Sequence, residues 1–245
     1  MNTSTKLLAL AGAAVIAAGC SGGGTHSRPT RLSITRFGGV VFLTSGPSGS
    51  IADAIFVKAM TPESQGVFDF ADGTCQLPGS SILSTASVPT FADAGASVAF
   101  TSGATTITAL KSTSFGISYG VSGAPVVPDT DWTVSAAGGP DVAAGTLASF
   151  HLPAPITLTN APVLTPGQPA EVTFTANVGA EAILLSISGN DGFASCYSND
   201  DGAFTIPGTV TAAVGSNASV SVSAVNLGLV NVGGRQVLTE VASGP

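Results

Sequence analysis

The sequence predicts an all-β protein made of antiparallel β-sandwiches, with its C-terminal half immunoglobulin-like. Three observations carry that prediction. Apolar residues recur with period two along many short segments. Clusters of Gly, Pro, Asn, Asp and Ser separate those segments, as hairpins and turns require. Beyond an N-terminal apolar run, no long segment keeps the 3.6-residue period of an amphipathic helix.

The elements follow in chain order. "RLSITRF" from Arg31, "DAIFVKAM" from Asp53, "SVAFTS" from Ser97, "TTITAL" from Thr105 and "DWTVSA" from Asp131 alternate apolar with polar residues. That pattern buries one face of a strand and wets the other. Phe56, Phe100 and Trp132 take core positions in it, Trp132 alternating with Val134. Then "HLPAPITLTNAPVLTPGQPAE" carries Pro153, Pro155, Pro162, Pro166 and Pro169, the punctuation of a boundary. Residues 30–152 are therefore expected to form a β-rich N-terminal domain and residues 153–245 the immunoglobulin-like sandwich.

In the second segment "AEVTFTAN" puts Val172 and Phe174 on one face, and "EAILLSIS" aligns Ile183, Leu185 and Ile187. "NASVSVSA" alternates Val220 and Val222 with serines, and "RQVLTEVA" supplies a last strand. Phe174 joins the core, while Glu171, Glu181 and Glu240 read as solvent-facing or strand-edge positions. A short turn of helix is expected at "TVTAAVG", just after Pro207.

The N-terminal run is "LLALAGAAVIAAG", preceded by one charge, Lys6. It has the length of a signal-peptide apolar region and falls short of the roughly 20 residues of a membrane span. It ends in "AAGC", with Ala17, Ala18 and Gly19 directly before Cys20. This arrangement resembles a bacterial lipoprotein precursor, although that family usually has Leu where Ala17 stands. The resemblance implies a signal peptide over residues 1–19 and a diacylated N-terminal Cys20 after cleavage. It also implies outer-membrane delivery, because Ser21 replaces the Asp that favours inner-membrane retention. Residues 20–29, with "SGGGTHSRPT", then read as a flexible tether. "WTVSAAGGPDV", "LPAPITLTN" and "DDGAFTIPG" further resemble segments of uncharacterised bacterial lipoproteins in which a β-rich region precedes an immunoglobulin-like module. That second resemblance implies fold and location and carries no activity.

With Cys20 lipidated, Cys75 and Cys196 remain as an even pair in an oxidising compartment. A disulfide between them is expected. Two separate buried thiols are the other arrangement the sequence allows.

The composition narrows function. Formal net charge is −7, only 9% of residues are charged, and the basic residues are scattered, so no cluster can neutralise several phosphates. Nucleic acid is excluded as a partner, and contact with a membrane is left to the lipid. His151 is the one histidine outside the tether, has no nucleophile-elbow motif beside it, and reads as structural. Cys75, Cys196 and His151 lack the short ligand spacings of zinc sites. Adjacent acids such as Asp200 and Asp201 are poorly placed to straddle a glycosidic bond. Calcium has oxygen donors available in Asp191, Asn199, Asp200 and Asp201, yet neither turn has EF-hand spacing. Asp and Asn also build turns by bonding their own backbone. The expectation is a lipid-anchored envelope protein with no cofactor, acting as a non-catalytic structural or interaction module. The alternatives are a calcium-dependent or carbohydrate-binding adhesion domain and, less favoured, a secreted hydrolase.

Overall fold

The computed structural model describes residues 31–46, 49–61, 66–69, 72–77, 88–114 and 116–244. The expected signal peptide, the lipidation site Cys20 and the tether lie outside the described residues. Alternating sequence folds as alternation demands, into strands joined by Gly- and Asp-rich turns. In the first half these are β1 (Arg31–Ile34), β2 (Phe37–Ser45), β3 (Ile51–Thr61), β4 (Gly66–Asp69), β5 (Cys75–Gln76) and β6 (Val88–Phe91). Next come β7 (Ser97–Ser102), β8 (Thr105–Ser112), β9 (Ser118–Ser122), β10 (Thr130–Ala136) and β11 (Gly145–Leu152). The second half holds β12 (Leu158–Asn160), β13 (Ala170–Phe174), β14 (Ala182–Ser188), β15 (Phe193–Ser198) and β16 (Ala203–Ile206). A short helix, α1 (Gly208–Val214), and the long strands β17 (Ser219–Val232) and β18 (Arg235–Ser243) complete it.

The helix sits where the sequence placed a turn of helix. Pro207 caps its start in extended geometry, and Gly215, at positive φ, ends it. Val210 and Val214 face the core, and the buried Thr211 hydroxyl donates to the Gln168 carbonyl at 2.9 Å.

One large sheet runs in the order β11-β10-β7-β8-β9-β3-β2-β18-β17-β14-β15-β5, with β6 added on β3. Its neighbours pair antiparallel except β2 and β18, which are parallel, Val41 beside Thr239. The N-terminal part of the sheet curls back on itself. Its inner face carries Leu43, Phe56, Phe100, Tyr119, Trp132 and Leu152, all essentially buried. Val237 and Val241 of β18 and Val230 and Val232 of β17 fill the same core, and Asn226 donates to the His151 carbonyl to tie β17 to β11.

The C-terminal part is a second sandwich. A three-stranded sheet, β12-β13-β16, faces β17-β14-β15 across Val172, Phe174, Ile183, Leu185, Ile187 and Ile206. Its first, second and fifth strands oppose its third, fourth and sixth, the two antiparallel layers of an immunoglobulin-like sandwich with the fourth strand beside the third. The first core draws mostly on β2 to β11 and the second on β12 to β17, so β17 serves both, while β18 gives Val237 and Val241 to the first. Strand β18 is buried on both faces, which includes Thr239 and Glu240. Glu240 is therefore not the solvent-facing residue that strand alternation suggested, because a central strand between two packed layers has no wet side.

Candidate functional site

A cluster of charged side chains among the described residues forms where two loops meet three strands of the N-terminal sheet. Asp93 stands in the bend after β6, Lys111 at the end of β8, Tyr119 on β9, Asp141 in the loop between β10 and β11, and Lys58 on β3. Lys111 Nζ lies 2.6 Å from Asp93 Oδ2, both partly buried. The other oxygen of Asp93 accepts the Gly95 amide at 2.9 Å and the Tyr119 hydroxyl at 3.2 Å. That hydroxyl also reaches the Gly95 carbonyl at 3.2 Å and accepts the Ala94 amide at 2.7 Å. Asp141 Oδ2 accepts the Asp93 amide at 2.9 Å, and Lys58 Nζ bridges both Asp141 oxygens at 3.0 and 3.1 Å. The sequence folds this way because the loop "FADAGA" needs partners for its amides, and carboxylates and a phenol supply them.

Electrostatics follow from these contacts. The Lys111 hydrogen bond, then the Gly95 amide, hold the Asp93 carboxyl below the ordinary carboxylate range. The Asp93 amide, then Lys58, do the same for Asp141. Burial pushes the Tyr119 phenol up, so it stays a neutral donor. Each group in the cluster is bonded to another group of the cluster or to the loop backbone. Its chemistry is that of a clamp on the 92–96 and 137–142 segments.

Beside the clamp lies a pocket of about 60 Å³, bordered by Lys58, Asp141, Phe56 and Arg235. That is room for a few waters. Arg235 is buried and donates from one guanidinium nitrogen to the Phe37 carbonyl at 2.9 Å. On the opposite face of the sheet, Asp53 of β3 packs against Gly120. Burial raises its carboxyl to about 6, a rise opposed by a hydrogen bond from the Val121 amide.

The residues singled out in the sequence fall elsewhere. Cys75 and Cys196 are bonded to each other, as register partners of β5 and β15 with Cα atoms 4.1 Å apart. The acidic turns lie at opposite ends of β15, whose six residues span about 20 Å, so Asp191 is not brought to Asn199, Asp200 and Asp201. Asp200 Oδ2 accepts the Gly179 and Ala180 amides at 3.2 and 3.4 Å, and Asp201 Oδ1 accepts the Ala203 amide. The Asn199 amide donates to Asp72. Among the described residues no three His, Cys, Asp or Glu side chains are placed to hold a metal ion. His151 sits half-exposed between two carboxylates, Nδ1 2.9 Å from Asp131 and Nε2 3.4 Å from Asp129. Trp132 is fully buried and donates to the Val127 carbonyl at 3.2 Å. Among the described residues no helix is long and apolar enough to cross a membrane.

Sequence reasoning missed the clamp because its members are scattered singly from Lys58 to Asp141. The one legible hint is "FADAG", an Asp set two residues before a Gly that reaches positive φ. The sequence matches no protein-family model and no curated protein.

Proposed function

We propose that the chain is a lipid-anchored protein of the cell envelope, acting as a non-catalytic structural or interaction module. The observation that carries this reading is the Cys75–Cys196 disulfide. It joins a loop of the N-terminal segment to the core of the C-terminal sandwich, and such bonds persist in oxidising, exported locations. That supports the export implied by "LLALAGAAVIAAGC" and so the assignment of Cys20 to lipid. The polar chemistry supports the module reading, because the ion pairs of the clamp are spent on holding loops. The test is acylation of the full chain in a bacterial host fed labelled palmitate. Label should enter the wild type, fractionate with the outer membrane and vanish in Cys20→Ser. Label retained on that variant overturns the anchor.

A further inference from the structure

The end of the large sheet is closed by very little. Among the described residues, strand β5 has two residues and is the terminal strand of the sheet, paired with β15 through Ser195–Gln76 and Cys196–Cys75. Around it, the Gly73 amide donates to the Tyr197 carbonyl, the Tyr197 amide to the Thr74 carbonyl, and the Asn199 amide to Asp72. A pairing this short is below the length of ordinary strands. The covalent bond adds to these contacts and keeps a segment some 120 residues distant in sequence beside β15. Cys196 is fully buried, whereas Cys75 is partly exposed at the surface of the strap.

We propose that residues 72–77 are a redox-latched strap, whose release by a dithiol uncovers the edge of β15 while the sandwich beneath stays folded. A reagent thiolate attacks the accessible Cys75 sulfur, and Cys196 leaves as thiolate. The second reagent thiol then resolves the mixed disulfide, freeing the Cys75 thiol and carrying away both sulfur oxidations as a cyclic disulfide. Reduction removes the covalent hold and leaves the strap to non-covalent contacts such as the Tyr197 amide on the Thr74 carbonyl. The core shared by β14, β17 and the facing sheet is filled chiefly by Ile183, Leu185, Val222 and Phe174, with Cys196 inside it and Cys75 packed at its margin. The latch thereby converts a protected sheet end into an open one.

Hydrogen exchange on the full chain tests this, comparing oxidised protein, dithiothreitol-reduced protein and Cys75→Ser. The Tyr197 amide should exchange about ten-fold faster or more relative to the β14 and β17 amides in the two latter samples than in the first, while β14 and β17 stay protected. Unchanged protection at Tyr197 would show that the strap needs no latch. Protection lost throughout β14 and β17 would show that the bond holds the whole sandwich. Either result overturns the proposal.

Discussion

The Tyr119 hydroxyl stands between Asp93 Oδ1 and the Ala94 amide, 3.2 Å from the first and 2.7 Å from the second. A buried phenol from β9 thus completes a loop that neither β6 nor β7 could satisfy alone. Removing that oxygen strands a backbone amide in a partly buried site. Tyr119→Phe is expected to cost about 1–3 kcal/mol, with a melting temperature lower by roughly 2–12 °C. Differential scanning calorimetry checks it, and an unchanged melting temperature would remove the clamp from the structural argument.

Acid should act on this protein in two opposed ways. Asp53 is raised in the folded state to about 6, so the fold binds its proton more tightly than the unfolded chain does. Its penalty is present at neutral pH and fades as pH falls from about 7 toward 4, so stability rises there. Asp93 and Asp141 are lowered, so their contribution is present above the ordinary carboxylate range and is lost as pH falls through and below it. Urea midpoints measured across pH should therefore show a maximum on the acid side of neutrality.

Asp53→Asn isolates the first effect. The amide keeps an acceptor for the Val121 backbone and cannot ionise. The variant is expected to be more stable than wild type at pH 7 by on the order of 1–3 kcal/mol, and equal to it near pH 4. A variant weaker than wild type at neutral pH would mean that the carboxylate is held by a partner that favours its charge.

Gly39 has φ +126°, and a Cβ there would lie 1.9 Å from the Ile55 carbonyl oxygen. It lies beside the register shift where β18 meets β2, so the backbone cannot relax without breaking the parallel pairing. Gly39→Ala should lower stability by several kcal/mol, around 3 or more, and yield soluble protein poorly. Chemical denaturation of whatever folds gives the number. Full wild-type stability would show that β2 can shift.

Loss of the disulfide has a separate readout in global stability. Cys75→Ser with Cys196→Ala is expected to cost about 2–5 kcal/mol relative to the oxidised wild type, and about nothing relative to the reduced wild type. Thermal melts of the three proteins, with and without reductant, distinguish the two comparisons.

Much of the strand architecture is visible in the residues. Val172 and Phe174, Ile183, Leu185 and Ile187, and Val98 and Phe100 are buried at the alternate positions that period two assigns them. Val220 is only partly buried, while Val222 and Ala224 are inside. The turns "NDG" and "NDDG" end β14 and β15 as their Asp and Gly content requires. What alternation does not encode is which strands meet. "RQVLTEVA" reads as a half-wet strand because Thr239 and Glu240 are polar, and only its placement between β17 and β2 buries them. The clamp was illegible for a related reason. Asp93, Lys111, Tyr119 and Asp141 come together through the curl of the sheet, and no local spacing records that curl.

The parallel pairing of β2 with β18 also has a kinetic meaning. Partners such as Val41 and Thr239 are separated by about two hundred residues, a contact order that slows folding. The curled core of the first segment takes Val237 and Val241 from β18, so it is incomplete while those residues are still being synthesised. Until then β2 is an unfinished edge, the kind of edge that is open to aggregation. β2, near the start of the described chain, completes its pairing only after β18 has been made.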